Sequence, residues 1–143
     1  SIDNSIINNG SSIGPFARLR NNVNVGEDTK IGNFVELKNS SLENDVKISH
    51  LSYIGDAEIQ DSANIGAGTI TCNYDGVNKH KTTIGKRSFI GSNTSLIAPI
   101  NIGNDASIAA GSSISKDVDS NSLAITRAPI RFITNWSKKF KKR

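Results

Sequence analysis

Aliphatic residues recur at every sixth position along most of this chain. The first series is Ile7, Ile13, Leu19, Val25, Ile31 and Leu37. It resumes one residue early at Leu42, Ile48 and Ile54, and again one residue early at Ile59 and Ile65. The last series is Ile84, Ile90, Leu96, Ile102, Ile108 and Ile114. A period of six matches neither the 3.6-residue period of a helix nor the two-residue alternation of a strand, so it indicates a repeated short strand followed by a turn.

Eight of the twelve glycines directly follow one of these aliphatic residues, a placement suited to tight corners. Three six-residue units close one triangular coil, with the aliphatic side chains inside and the coils stacked about 4.8 Å apart. We therefore predict an all-β parallel β-helix over residues 1–118. The repeat is lost across 71–83, where Asp75-Gly76 signals a turn, so we expect a projecting loop there. A C-terminal arm and basic tail, possessing no repeat, occupy 119–143.

The coil length places residues of successive coils above one another. The equivalent position in the next coil is normally 18 residues later, and it is 17 residues later where the series resumes one residue early. His50 should therefore lie above Asn33 and below Ala67, and Tyr53 should lie above Glu36. A lone histidine is usually a plain surface residue, but polar side chains converge here beside the glycine-rich segment 66–68. We interpret this corner as a candidate site, with a solvated face as the alternative.

The positive charge of the chain is confined to its end. Seven basic residues and no acidic one fall in 127–143, whereas 1–126 holds ten basic and thirteen acidic residues. The basic residues of the tail are Arg127, Arg131, Lys138, Lys139, Lys141, Lys142 and Arg143. This basic tail has no interleaved aromatic residues on which bases could stack. We therefore interpret the tail as a solvated terminus and expect no nucleic-acid partner.

Other features of the composition narrow the class of protein. No apolar run is long enough to span a bilayer, so we expect no membrane insertion. The single cysteine, Cys72, excludes an intrachain disulfide and favours a cytoplasmic protein. The chain starts at Ser1 and contains no methionine, which suggests a fragment or a processed chain.

Several segments resemble one acyltransferase family. They are IGPFARLR (13–20), IGNFVELK (31–38), SHLSYIGDAEI (49–59), NIGAGTITCNYDGVNKHKT (64–82), IGSNTSLIAPINIG (90–103) and AITRAP (124–129). They are similar to the C-terminal acetyltransferase domain of bacterial bifunctional UDP-N-acetylglucosamine pyrophosphorylase/glucosamine-1-phosphate N-acetyltransferases. The segment GAGTITCNYDG is the most specific. Arg20 is followed by Asn21-Asn22, where many relatives have Pro-Gly.

The resemblance implies a left-handed β-helix, a homotrimer and an acetyl-CoA-dependent transfer to the amine of glucosamine 1-phosphate, for UDP-N-acetylglucosamine and cell-envelope synthesis. It implies His50 as general base. It implies sugar-phosphate contacts at Arg20, Lys38, Tyr53, Asn64 and Lys79. It implies acetyl-CoA contacts at Ala67, Asn73, Tyr74, Ser92, Ala110 and Arg127. It also implies an N-terminal uridylyltransferase domain in the parent protein, to which any Mg²⁺ requirement would belong, so we expect no metal in this domain.

The chemistry of the implied residues is consistent with that reaction. An imidazole, with an ordinary pKa of about 6.5, can take a proton from an attacking amine at neutral pH. Backbone N–H groups of the 66–68 corner could stabilise the oxyanion formed from the thioester. Arg20 and Lys38 suit a dianionic phosphate.

Three alternatives and one prediction about assembly complete the sequence-based interpretation. The chain could be a hexapeptide acyltransferase with another acceptor, such as serine or a different UDP-sugar, or a non-enzymatic ice-binding or scaffold β-helix. A zinc site of the γ-carbonic-anhydrase kind needs three histidines, and the chain has two. Outward apolar residues such as Phe34, Leu51, Phe89 and Ile97 predict an interface between prisms. We expect Lys79 and Arg127 to serve a site whose His50 belongs to another subunit.

Overall fold

The computed structural model describes residues 1–140; Lys141, Lys142 and Arg143 of the predicted basic tail lie outside the described residues. Short strands follow one another in coils of three. The first three coils contain β1 (Ser5–Ile7), β2 (Ser12–Ile13), β3 (Arg18–Arg20), β4 (Val23–Val25), β5 (Lys30–Asn33), β6 (Glu36–Lys38), β7 (Ser41–Leu42), β8 (Lys47–His50) and β9 (Tyr53–Gly55). The next coils contain β10 (Ala57–Ile59), β11 (Asn64–Ile65), β12 (Ile70–Cys72), β13 (Thr82–Ile84), β14 (Phe89–Ile90), β15 (Ser95–Ile97), β16 (Ile100–Ile102), β17 (Ser107–Ile108) and β18 (Ser113–Ile114). A final strand, β19 (Leu123–Ala124), begins a seventh coil, and a 3₁₀ helix spans Trp136–Lys139.

The strands form three parallel sheets, which are the faces of a left-handed triangular prism. Face I contains β1, β4, β7, β10, β13 and β16; face II contains β2, β5, β8, β11, β14, β17 and β19; face III contains β3, β6, β9, β12, β15 and β18. From β4 to β18, each strand is hydrogen-bonded to the strand three places before it, as a solenoid with three strands per coil requires, and β19 pairs with β17. The parallel β-helix predicted from the six-residue period is confirmed.

One aliphatic column per face fills the prism. On face I, Val25 pairs with Leu42, and Ile59 pairs with Ile84. All four of these side chains are at most 2% exposed. Ile7, in the first coil, is 39% exposed because only one neighbouring coil covers it. The predicted positions therefore form a continuous core, which buried apolar area stabilises.

Buried hydroxyl groups close the corners of the coils. Ser40 Oγ, at the corner between faces III and I, donates to the carbonyl oxygen of Lys38 at 2.9 Å. Ser52 Oγ, at the corner between faces II and III, donates to the carbonyl oxygen of His50 at 2.9 Å. Thr69 Oγ1 donates to the carbonyl oxygen of Gly66 at 2.7 Å. Each of these bonds ties a hydroxyl group to a carbonyl group two or three residues earlier in the chain, which fixes the backbone of the turn. The corners therefore stay rigid without regular secondary structure.

Large apolar side chains remain outside the prism, as predicted. Phe34, Leu51, Phe89 and Ile97 are 54%, 59%, 53% and 43% exposed. Phe16 and Phe34 stack with ring centroids 5.5 Å apart on one corner. The C-terminal arm is exposed throughout 127–140, and its 3₁₀ helix buries no residue. Within the described residues, no helix is long and apolar enough to cross a membrane.

Candidate active site

The corner between faces II and III carries one column of candidate residues. Asn33 pairs with His50 in the β5–β8 register, as the coil lengths predicted. The β8–β11 register places Ala67 above His50, in the next coil of this column. Two backbone hydrogen bonds of 2.8 Å, from Asn93 N–H to Ala67 O and from Gly111 N–H to Ser92 O, connect the coils above it. We call Asn33, His50, Ala67, Ser92 and Ala110 the His50 column.

His50 is exposed at the end of β8, so its side chain points away from the core. Its Nδ1 lies 3.0 Å from Asn33 Oδ1. An amide oxygen can only accept, so Nδ1 donates and Nε2 keeps a free lone pair. The ring is therefore arranged to accept a proton at Nε2.

The corner above His50 offers free backbone donors. Within residues 1–140, neither Ala67 nor Gly68 donates its N–H to a protein acceptor. Both residues are half-buried, and Gly68 adopts a φ of +76°, which a glycine tolerates. A Cβ on Gly66 would lie 2.6 Å from the backbone nitrogen of Ser92, so the backbones of adjacent coils meet closely here. Donors of this kind suit a developing oxyanion.

Above these donors the column consists of small side chains. Ser92 and Ala110 are exposed, and the Cδ of Arg127 lies 3.9 Å from the Cβ position of Gly111. The column thus forms an open, narrow strip parallel to the prism axis, with a guanidinium group beside its upper end. A long, thin ligand with anionic groups fits such a strip.

The opposite edge of face III, at the corner with face I, carries three cationic side chains, Arg20, Lys38 and Lys79, which we call the cationic cluster. Arg20 Nε donates to Glu36 Oε1 at 2.6 Å, and this hydrogen bond raises the pKa of Arg20 above its ordinary value. Lys38 Nζ lies 3.3 Å from Asp56 Oδ2, and the Lys38 side chain is only 10% exposed.

Lys79 reaches the cluster from the projecting loop. The close Lys38 ammonium lowers the pKa of Lys79; burial and Arg20 lower it further, while Asp56 acts in the opposite sense. Three cationic side chains therefore share this corner with two carboxylates, Glu36 and Asp56. An anion bound there would relieve the repulsion.

Asp56 organises this edge, and the sequence analysis did not identify it. Burial raises the pKa of Asp56, but hydrogen bonds from Asn39, Asn73 and Lys38 outweigh burial and hold the pKa below its ordinary value. Asn73 Nδ2 donates to Asp56 Oδ2 at 2.6 Å and lies 3.3 Å from the hydroxyl of Tyr53. The available signal was the register, because Asp56 lies one coil above Asn39.

The projecting loop spans 73–81, which is shorter than the predicted 71–83 because Thr71 and Cys72 belong to β12, and Thr82 and Thr83 belong to β13. It is held by its own polar contacts. Asp75 Oδ1 accepts the N–H groups of Val77 and Asn78 at 2.8 and 2.7 Å, and Asp75 Oδ2 lies 2.7 Å from Nε2 of His80. The hydrogen bond with His80 and those two N–H groups lower the pKa of Asp75 to about 2. This arrangement turns Lys79 back towards the prism.

A polar groove of about 610 Å³ runs beneath the loop along face I. Its lining includes Asn24, Ser41, Glu58 and Lys81, and it adjoins the cationic cluster through Asp56 and Lys79. Lys81 forms an ion pair with Glu58 across this face. The groove therefore extends the cationic edge and does not reach the His50 column.

The candidate residues consequently fall into separate groups. The structure brings together Arg20, Lys38, Tyr53, Asn73 and Lys79 at one edge of face III. It brings together His50, Ala67, Ser92 and Ala110 at the other edge, with Arg127 beside them.

Two candidates lie outside both groups. Asn64 precedes the inward Ile65 in β11, so it faces outward on face II. Tyr74 is 60% exposed on the loop, where its hydroxyl donates to Gly76 O. Within residues 1–140, no group of three or more histidine, cysteine, aspartate or glutamate residues is arranged to hold a metal ion.

Comparisons with protein families agree with the repeat. A model described as "Bacterial transferase hexapeptide (six repeats)" matches residues 4–39, and one described as "Hexapeptide repeat of succinyl-transferase" matches 81–116. Among solved structures, the GDP-perosamine N-acetyl transferase of Caulobacter crescentus superposes with a TM-score of 0.73 at 20% identity, covering 85% of this chain and 54% of that one. AntD, an N-acyltransferase from Bacillus cereus, superposes with a TM-score of 0.74 at 20% identity, covering 96% and 90%. The fold and the repeat thus define a hexapeptide-repeat transferase β-helix.

Sequence relatives specify the group more closely. The "Bifunctional protein GlmU" of Francisella philomiragia subsp. philomiragia is 57% identical over 140 residues, which are 98% of this chain and 31% of the relative. That of Thermodesulfovibrio yellowstonii is 55% identical over 141 residues, 99% of this chain and 31% of the relative. The chain belongs to the GlmU family of hexapeptide-repeat proteins and spans about a third of the length of these relatives, corresponding to their C-terminal part.

Proposed function

We propose that this chain transfers the acetyl group of acetyl-CoA to the amine of glucosamine 1-phosphate, giving N-acetylglucosamine 1-phosphate and free CoA. The observation that carries the proposal is the His50 column, in which an oriented imidazole lies directly below free backbone donors and a strip of small side chains. The relatives are named bifunctional GlmU, and the complexes of the perosamine and AntD transferases contain CoA or Coenzyme A with an amino-sugar nucleotide.

In the proposed reaction, His50 acts first as a base and then as an acid. The acceptor reacts as the free amine, and Nε2 takes a proton from its nitrogen as that nitrogen attacks the thioester carbonyl carbon. The carbonyl oxygen becomes an oxyanion facing the N–H groups of Ala67 and Gly68. When the carbon–sulfur bond breaks, the proton on Nε2 passes to the leaving thiolate. The amine attacks the thioester directly, and neither the base nor the backbone donors form a bond to the acetyl group, so no covalent acyl-enzyme is required.

The cationic cluster is the proposed phosphate site. Arg20 offers further N–H donors beyond the one paired with Glu36, and Lys38 and Lys79 add two ammonium groups. A dianionic phosphate would neutralise the repulsion that lowers the pKa of Lys79. Tyr53, whose hydroxyl lies beside Asn73, would add a neutral hydrogen bond. An amine-bearing acceptor without a phosphate would leave this edge unneutralised, which favours glucosamine 1-phosphate over serine.

Acetyl-CoA is proposed to lie along the His50 column, with its thioester at Ala67 and its chain extending past Ser92 and Ala110. Arg127 would face the anionic part of the molecule from the same chain as His50, because its side chain lies beside Gly111 of that chain. This differs from the expectation that Arg127 and His50 of one site belong to different subunits. Asn73 and Tyr74, which the resemblance also assigns to acetyl-CoA, lie at the other edge of face III. Their contact with the cofactor therefore requires a second chain beside the first.

A homotrimer with parallel prism axes meets that requirement, and we propose that the site lies between neighbouring prisms. Asn64 faces outward from face II, whereas the cationic cluster borders face III. These faces of one prism point in different directions, so one small sugar phosphate would contact both sets only if they came from two chains. His50 and Asn64 of one chain would then meet Arg20, Lys38 and Lys79 of the next. The exposed apolar residues of the corners support such contacts.

The chain spans about a third of its relatives, which are bifunctional. We propose that the parent protein also carries a uridylyltransferase domain, and that both reactions serve cytoplasmic synthesis of UDP-N-acetylglucosamine for the cell envelope. We also propose the division into a β-helix domain, 1–118, and an arm with a basic tail, 119–143, and we assign no nucleic-acid role to that tail.

Release of free CoA thiol from acetyl-CoA in the presence of glucosamine 1-phosphate tests the activity. We expect turnover with this acceptor and a loss of about 10²–10⁴-fold in His50→Ala, with an unchanged circular dichroism spectrum. Serine and glucosamine without phosphate serve as comparison acceptors. Turnover with serine but not with glucosamine 1-phosphate would identify a different hexapeptide acyltransferase, and the absence of thiol release with every acceptor would support the scaffold alternative.

Mixed trimers test the shared site. His50→Ala chains, which lack the base, are unfolded and reassembled with Lys38→Met chains, which are expected to bind glucosamine 1-phosphate weakly, because the proposal places these residues in one site only when they come from different chains. Activity is assayed at a glucosamine 1-phosphate concentration too low for trimers of Lys38→Met alone to turn over. Partial recovery of activity is expected in mixtures verified by mass spectrometry. An absence of recovery in verified mixed trimers, or a monomer by light scattering at assay concentration, would contradict the shared site and leave the His50 result unaffected.

A further inference from the structure

We propose that Asn33 is a positioning residue for acetyl transfer: its amide oxygen fixes the neutral tautomer of His50 in which Nδ1 carries the proton and Nε2 is free. The inference rests on the proposed function in one respect, namely that His50 is the base. It concerns a residue that neither the repeat nor the resemblance assigned to the reaction.

The β-helix holds Asn33 in register beneath His50. The two residues pair directly in the β5–β8 ladder, and the backbone oxygen of Asn33 accepts the N–H of Leu51 at 3.1 Å. Asn33 is half-buried, whereas His50 is exposed. A backbone contact and a side-chain contact from the same residue therefore hold the ring at this corner, and a half-buried amide has little freedom to turn away.

The hydrogen bond between the two side chains selects the tautomer. Asn33 Oδ1 lies 3.0 Å from Nδ1 and offers only lone pairs, so the proton of the neutral ring belongs on Nδ1. Within the described part of the chain, this is the one side-chain hydrogen bond of the His50 ring. Without it, nothing in residues 1–140 would distinguish the two nitrogens of the ring.

An amide differs here from the carboxylate that orients histidine in many hydrolases. A carboxylate would also favour the charged imidazolium, which holds the proton that the reaction must release. The nearby carboxylate, Glu36, is instead paired with Arg20 at 2.6 Å. Asn33 therefore supplies orientation without adding negative charge beside the base.

Nitrogen-15 NMR of the whole chain measures the tautomer directly, because the sequence contains two histidines, His50 and His80. His80 presents Nε2 to Asp75, the reverse of His50, and serves as an internal contrast. We expect the neutral His50 signal to show protonated Nδ1 and unprotonated Nε2, with assignment from His50→Gln. In Asn33→Ala this preference should be lost, and the ring should populate both tautomers.

Kinetics of three variants separates positioning from a structural role. In Asn33→Ala, kcat should fall about tenfold or more, while KM for both substrates stays within about threefold. Asn33→Asp keeps the acceptor, so it should retain the Nδ1 tautomer and recover most of kcat at high pH, with the acid limb of the pH–rate profile moved to higher pH. The control is Asn101→Ala, an exposed asparagine on face I, which should match the unaltered chain.

Protonated Nε2 in the unaltered chain, or kcat within twofold of normal in Asn33→Ala, would overturn the proposal. Equal losses in Asn33→Ala and Asn33→Asp at every pH would also overturn it. If the tautomer is as expected but the unaltered chain releases no thiol from acetyl-CoA, the proposed function fails and the assignment of the tautomer stands.

Discussion

Two buried threonines, Thr71 and Thr82, differ in how their hydroxyl groups are satisfied. Thr71 is 1% exposed, and its Oγ1 accepts the N–H of Gly55 at 2.8 Å and donates to the Gly55 oxygen at 3.2 Å. Thr82 is fully buried, and within residues 1–140 its Oγ1 has no hydrogen-bond partner. Replacing each by valine exchanges a hydroxyl for a methyl of similar size, so the two variants isolate the effect of the hydrogen bond.

The expected changes in the free energy of unfolding have opposite signs. Thr71→Val leaves the buried N–H of Gly55 without an acceptor, which costs about 1–3 kcal/mol. The added methyl returns about 0.8 kcal/mol, so the variant should be less stable by about 0.2–2 kcal/mol. Thr82→Val removes a hydroxyl that is desolvated without compensation and should be more stable by about 1 kcal/mol. The two variants should therefore differ by about 1–3 kcal/mol.

Urea unfolding followed by far-ultraviolet circular dichroism measures the difference. All samples need the same chain concentration, because the stability of an oligomer depends on it. The denaturant dependence, m, should be unchanged, which would show that the midpoints report stability. A Thr71→Val variant as stable as the original chain, or a Thr82→Val variant destabilised by more than about 1 kcal/mol, would refute the reasoning from buried hydroxyl groups.

Two further predictions concern the cationic edge. Lys38→Met should raise KM for glucosamine 1-phosphate by about 10- to 150-fold, the equivalent of about 1.5–3 kcal/mol. The control Lys30→Met, which removes a charge elsewhere on the prism, should leave this KM unchanged. Equal effects of the two substitutions in steady-state assays would argue against a phosphate site. Because the pKa of Asp75 is lowered from 3.8 to about 2, its stabilisation of the loop is complete above pH 3.8 and is lost as pH falls through about 2. Asp75→Ala, which has no side-chain acceptor, should remove it at all pH values, with faster amide hydrogen exchange at Val77 and Asn78 and a higher KM for the sugar phosphate. Unchanged exchange would contradict this role.

The sequence by itself determined the coil and the vertical order of residues. A fixed repeat of six means that counting 17 or 18 positions reaches the next coil, so the pairs Asn33–His50 and Glu36–Tyr53 could be predicted and are confirmed. The outward direction of Phe34 followed from the same alternation. The inward direction of Thr71 was not predicted, because a polar residue at an inward position does not fit the aliphatic repeat. Its hydroxyl accepts the N–H of Gly55 and replaces a missing strand contact.

Only the tertiary structure decided which side chains meet at the edge of face III. Long side chains such as Arg20 and Lys38 can turn in several directions, and their actual partners, Glu36 and Asp56, depend on the local balance of charge and burial. The loop carrying Lys79 has no repeat, so no count of residues could predict its position. Its return to the prism depends on the contacts of Asp75 with its own loop, which are local hydrogen bonds that a periodic pattern does not encode.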